Sequence, residues 1–174
     1  MIIEMQRNIE GSILDVGGGG EGIIGRLYGK RVIAIDNCRE ELDEAPDCCE
    51  KRLMDATKLL FENESFDNVT FFYSLMYMTA DVQEKALAEA ARVLKRGGQI
   101  HIWDSDIHSS SLEPYVVDLD ILWDGEVQVH TSYGIVKGET QSSESVAGVL
   151  SRNGFLLEHH VMEKNQFFIC GRKE

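Results

Sequence analysis

Basic residues are scarce in this sequence. Lys and Arg together number 17 against 30 Asp and Glu, giving a formal net charge of −13. Phosphate backbones are held by clusters of Lys and Arg, so that balance argues against a nucleic-acid partner. Long hydrophobic runs are also missing. None nears the ~20 apolar residues needed to cross a bilayer, and no membrane partner is expected. The opening residues MIIEMQRNIEG carry no long apolar core behind a basic start. They do not read as a signal peptide, and a cytoplasmic location is the expectation. Proline occurs only at Pro46 and Pro114, and no repeat or low-complexity linker is visible. Cysteine is limited to Cys38, Cys48, Cys49 and Cys170. The adjacent pair lacks C-x-x-C ligand spacing, so all four read as free thiols.

What is present fits one globular domain. The chain has 174 residues, 43% of them hydrophobic and 27% charged, enough to bury a core without staples. Residues 12–16 read as a short apolar strand, 21–28 as a helix, 31–36 as a buried strand, 39–45 as a helix stopped by Pro46, and 51–54 as a third strand. Residues 66–74 come next as a strand rich in aromatic and β-branched types. Residues 81–95 form the clearest helix, with a capping-box-like Asp81/Glu84 pair and Gly97-Gly98 as its stop. Residues 99–103 are a fifth strand, 142–152 a helix, and 155–162 with 166–171 a closing hairpin. Residues 107–140 are the hardest to read; 126–136 is one strand or two, turning near Tyr133-Gly134. Alternating strands and helices imply a parallel sheet with right-handed crossovers, and the last pair looks antiparallel.

The densest local feature is ILDVGGGGEG, residues 13–22. Glycine costs backbone entropy wherever it is placed. Five in six positions exceed what a turn needs, and imply positive φ or close approach of a ligand to the main chain. In such sheets ligands bind beyond the carboxyl ends of the strands, where this turn would lie. Gly17-x-Gly19-x-x-Gly22 also satisfies the dinucleotide pattern, with Asp36 at a suitable distance for a ribose hydroxyl. Asp15, at the strand's carboxyl edge, would satisfy the turn's N–H groups or orient a cationic ligand. Asp55, an acid after the third strand, would lie beside an adenine and accept from its amine, or would cap the segment after it.

These residues resemble the class I S-adenosylmethionine-dependent methyltransferases in their small methyltransferase-domain form. Asp15, Gly17 and Gly19 match the family's D-x-G-x-G motif, Asp36 its ribose-binding acid, and Asp55 within Asp55-Ala56-Thr57 its adenine-side acid. Residues 65–69 resemble its fourth-strand pattern, and residues 91–99 its R-V-L-K-x-G-G pattern. The resemblance implies a three-layer α/β/α Rossmann-like sandwich, its seven-stranded sheet mostly parallel, in the order 3-2-1-4-5-7-6 with strand seven antiparallel. It implies S-adenosyl-L-methionine as cofactor, held by Asp15, Gly17, Gly18, Gly19, Asp36, Asn37, Asp55, Ala56, Tyr73 and Ser74. It further implies methyl transfer to an unidentified, small-molecule acceptor. The rivals are a non-catalytic nucleoside-binding regulatory module and an NAD-dependent oxidoreductase.

Two features depart from the family. Glu21 stands where a third alternating glycine is frequent, with Gly22 one position later. Few residues precede the first strand, where many relatives have helices that cover the substrate. Residues 1–174 are thus expected to form a single domain, with 107–140 as an insertion or lid carrying Tyr115, Trp123, His130 and Tyr133 over the site. A homodimer is compatible with this. On the acceptor side the candidates are Tyr77, and Asp104, Asp106 and His108, which alternate past the fifth strand and would share one face if extended. Two carboxylates and an imidazole would suit a divalent ion, but a solvated loop is the first reading and no metal is expected. His159-His160 on a late strand face opposite ways and are not read as a site.

Overall fold

The structure is a computed structural model that describes residues 1–108, 114–135 and 140–174. Its main sheet has seven strands: β2 (Ile13–Val16), β3 (Val32–Asp36), β4 (Glu50–Leu53), β5 (Phe66–Phe72), β6 (Leu94–Ser105), β9 (Phe155–Glu163) and β10 (Gln166–Lys173). They lie in the order β4-β3-β2-β5-β6-β10-β9. Counted within this sheet, that is the expected 3-2-1-4-5-7-6. The first five strands pair in parallel, and β10 runs antiparallel to both neighbours. The central strands are almost wholly buried because they are covered on both faces. All four residues of β2 and all of β5 but Asp67 are buried.

The helices are α1 (Ile23–Tyr28), α2 (Arg39–Glu44), α3 (Ala80–Val93) and α4 (Ser143–Arg152). α3 sets Ala86, Leu87, Ala90 and Ala91 into the core together with Val69, Phe71 and Ile100. Its ends differ from expectation. Thr79, not Asp81, is the N-cap, and it makes no side-chain cap bond. The chain turns extended at Leu94, before Gly97-Gly98, because Leu94 is already paired with Phe66. Lys95 therefore lies on the strand and reaches Asp67 at 2.6 Å. α4 begins at the capping box of Ser142 and Ser145.

A second sheet was not expected. It has three strands in the order β1-β7-β8: β1 (Ile2–Glu4), β7 (Tyr115–Trp123) and β8 (Glu126–Ile135). β8 runs straight through Tyr133-Gly134, where the sequence suggested a turn. The turn falls at Asp124-Gly125, with φ of 57° and 79°. Positive φ at both central residues suits the twist of a two-residue hairpin. Val117, Leu119, Ile121 and Trp123 point inward and join a core with Ile13, Ile23, Ile24, Val32 and Phe72. Residues 109–113 and 136–139 of the expected lid, and so Val136 at the end of the expected strand, lie outside the described residues. No helix among the described residues is long and apolar enough to cross a membrane.

Candidate active site

The glycine turn leaves the end of β2 and packs tightly. Gly17 has φ +74°, and a Cβ there would lie 2.4 Å from Cβ of Ser74. A Cβ at Gly18 would lie 2.4 Å from an Asp15 carboxylate oxygen, and one at Gly19 would lie 2.6 Å from Cβ of Glu41. No larger residue fits these three places without displacement. The turn's N–H groups are spent inside the protein. Gly17 and Gly18 donate to the Ile35 carbonyl at 2.8 and 3.0 Å, and Gly20 donates to that of Glu41 at 2.8 Å. Gly19 donates to the Asp36 carboxylate at 3.3 Å. The other Asp36 oxygen accepts from the Cys38 N–H at 2.9 Å.

Asp15 is nearly inaccessible, at 2% exposure. The Thr70 hydroxyl donates to it at 2.7 Å, while the N–H groups of Gly17 to Gly20 go to Ile35, Asp36 and Glu41 instead. Burial pushes its carboxyl up to about 7, against the Thr70 bond and with the help of the Asp36 charge. Asp55 does cap the segment after it. Its carboxylate accepts from both the N–H and the hydroxyl of Thr57 at 2.8 Å, bonds that hold its carboxyl below the ordinary range. Ser74 donates to the Val16 carbonyl at 2.7 Å, which ties the end of β5 to the end of β2. Tyr73 sits at φ 49°. Its hydroxyl donates to Gln166 at 2.8 Å, and Gln166 in turn donates to the Tyr115 hydroxyl at 2.9 Å.

These ends meet around one cavity of about 400 Å³. Asp15, Gly17, Gly18, Gly19, Asp36 and Asn37 line it from β2 and β3, Asp55 and Ala56 from beyond β4, and Tyr73 and Ser74 from beyond β5. Tyr77 lines it as well. Asp104, Asp106 and His108 do not. Asp104 is fully buried and accepts from Met76 N at 3.2 Å, Ser105 N at 2.8 Å and the Gln141 side chain at 2.8 Å. Burial raises its carboxyl to about 7 despite these donors. Asp106 accepts from the N–H of Ser143 at 2.7 Å, at the start of α4, and His108 is exposed. The three do not form one acceptor-side face, because Asp104 still belongs to β6 and is packed beneath it.

Glu41 from α2 and Phe72 at the end of β5 line the cavity without having carried a signal in the sequence. Glu21, which departs from the family's glycine pattern, lines it too and holds β8. Thr131 and Tyr133 both donate from β8 to the Glu21 carboxylate, the second at 3.1 Å. Of the four side chains expected in a lid, Tyr133 alone lines the cavity. Trp123 packs in the second core, and His130 is exposed and paired with Asp120. Tyr133 stacks on Tyr73 with ring centroids 5.2 Å apart.

The family model described as "Methyltransferase domain" matches residues 14–102, just over half of the chain. The chain belongs to that family. Its residues 14–102 hold the glycine turn and the ends of β2 to β5 that enclose the cavity. No curated protein matches the chain by sequence. Among solved structures, it is similar to a protein from Pyrococcus horikoshii, with TM-score 0.72 and 16% identity over 95% of this chain and 84% of that one. A S-adenosylmethionine-dependent methyltransferase from Methanosarcina mazei gives 0.66 and 16%, over 97% and 94%. Geranyl diphosphate C-methyltransferase from Streptomyces coelicolor, solved with Mg2+, geranyl diphosphate and S-adenosyl-L-homocysteine, gives 0.68 and 12%, over 95% and 73%. At these identities the likeness is one of fold.

Proposed function

We propose that this methyltransferase binds S-adenosyl-L-methionine in the cavity at the glycine turn and passes its methyl group to a small-molecule acceptor. The observation that carries this is the convergence of the strand ends. A buried acid, a glycine cradle that tolerates no Cβ, and separate acids at the end of β3 and beyond β4 line one space. S-adenosyl-L-methionine supplies an activated methyl on a sulfonium leaving group. Asp36 would accept from the ribose hydroxyls, and Asp55 with Ala56 would flank the adenine, beside Asn37. Asp15, Tyr73 and Ser74 would frame the methionine end, with Tyr77 towards the acceptor.

The residues here have little proton chemistry to perform. In-line displacement mainly needs donor and acceptor held in line, and such alignment contributes up to ~7–11 kcal/mol. A base is needed only where the acceptor must lose a proton to react. The second sheet would act as cover, because β8 brings Tyr133 to the cavity and is bonded there to Glu21.

A dinucleotide fits less well. Pyrophosphate is held by free N–H groups at such a turn, whereas here Gly17, Gly18, Gly19 and Gly20 all donate within the protein. No Lys, Arg or His lines the cavity among the described residues. Calorimetric titration with S-adenosylmethionine, its demethylated product and NAD tests the binding. Transfer of a labelled methyl to pools of small molecules tests the activity. Binding of the first two but not NAD, together with labelled product, is expected. NAD binding alone would overturn the reading, and cofactor binding without transfer to any pool would favour the regulatory module.

A further inference from the structure

Resting on the methyltransferase reading, we propose that the acceptor carries a cationic amine, recognised by the Glu21 carboxylate and the ring faces of Tyr77 and Tyr133. Glu21 belongs to the cavity wall and to no ion pair among the described residues. The nearby guanidinium of Arg26 is bound to the Glu21 backbone carbonyl, at 2.7 Å, and not to the carboxylate. An ionised carboxylate accepts about four hydrogen bonds. Thr131 and Tyr133 supply two, which leaves charge and lone pairs for a ligand donor.

Both tyrosine rings line the same cavity as that charge, and Tyr133 meets it through its hydroxyl. Tyr133 is held by its stack on Tyr73 and its bond to Glu21. The Tyr77 hydroxyl accepts from Gly134 N at 3.2 Å, so its ring is fixed at the rim while 56% of the residue stays exposed. Phe72 packs edge-on against Tyr133 at 6.4 Å. Aromatic faces attract ammonium groups through the ring quadrupole, most strongly where water is excluded. The wall has no basic side chain among the described residues, and the N–H groups of Gly17 to Gly20 already donate within the protein. Glu41 adds a further carboxyl to the wall, raised chiefly by burial and further by the charges of Glu44, Asp36 and Glu21. An acceptor phosphate or carboxylate brought beside Glu21 meets like charge.

Choline and its uncharged isostere 3,3-dimethylbutan-1-ol separate the two chemistries without needing turnover. Titrated into the full chain with and without S-adenosylhomocysteine, choline should bind at least about tenfold more tightly. Glu21→Gln should erase that preference while S-adenosylhomocysteine affinity stays within about threefold. Tyr77→Phe should keep the preference and Tyr77→Leu should weaken it, both leaving the fold intact by circular dichroism. In a labelled-methyl panel of amines beside carboxylates and phosphates of the same skeleton, amines alone should be methylated. Equal affinity for choline and its isostere, an unchanged preference in Glu21→Gln, or labelling confined to the acids would overturn the proposal. Failure to bind S-adenosylhomocysteine would instead count against the methyltransferase reading, and the choline comparison would still decide this one.

Discussion

The glycine turn and the second sheet both rely on positive φ, but for different ends. Gly17, at φ +74°, is crowded by Ser74, whereas Gly125, at φ +79°, has nothing within 4 Å of where a Cβ would sit. At the first position glycine answers a demand of packing as well as conformation. At the second it only lets a hairpin close. Here the uncrowded glycine marks only a turn, and the crowded one lies where the ends of β2 and β5 converge on the cavity.

The largest effect should come from the core shared by the two regions. Trp123 lies in the same buried cluster as Ile13, Ile24 and Phe72. Trp123→Ala should therefore destabilise the whole protein by about 3–5 kcal/mol, read as one shifted urea transition. Two separate transitions would show the second sheet to be an independent appendage and would break the comparison.

Next comes the buried acid of the turn. Asp15 has its carboxyl raised from 3.8 to about 7, so the folded state holds a proton that the unfolded chain releases. Its contribution to stability is thus greatest below about pH 4, declines as pH rises, and is lost above about pH 7. The decline amounts to at most about 4 kcal/mol. Asp104, raised to about 7 as well, acts in the same window, so Asp15→Asn should reduce the slope in denaturation measured from pH 5 to 8 and leave the share of Asp104. An equally steep slope in the variant would place the proton elsewhere.

The parallel half was legible because its signals are local. Residues 13–16 and 32–36 are short buried runs that end on the glycines and on Asp36, and period and punctuation suffice to place them. The second sheet depends on partners far away in sequence. Ile2, Ile3 and Glu4 pair with Asp120, Ile121 and Leu122, and three residues carry no pattern of their own. A signal did exist in β7, where Val117, Leu119, Ile121 and Trp123 alternate with Asp118 and Asp120 before Asp124-Gly125. The polar β8 obscured it, since its Tyr133-Gly134 resembles a turn and is held extended by contacts with Tyr73, Tyr77 and Glu21. Asp104 misled for a related reason. Its alternation with Asp106 and His108 suggested one exposed face, but β6 runs through Ser105 and buries it.

The glycine contrast itself can be measured. Gly17→Val should cost about 1–3 kcal/mol more than Gly125→Val, because both incur positive-φ strain and only the first also overpacks. Equal losses would mean that Ser74 yields freely. The smallest effect belongs to the rim. The pair of Arg7 and Asp124, 3.1 Å apart, is more than half exposed on both sides. Arg7→Ala should change stability by less than about 1 kcal/mol, and a larger loss would give the N-terminal segment a greater part in holding the second sheet.

The central claim is that the strand ends around the glycine turn form the S-adenosylmethionine site, and calorimetric titration of wild type against Asp36→Ala tests it most directly. Loss of a charge-assisted contact of about 1.5–3 kcal/mol should weaken S-adenosylmethionine about ten- to a hundredfold in a protein that melts as wild type does. The same affinity in both proteins, with the fold intact, would contradict the account.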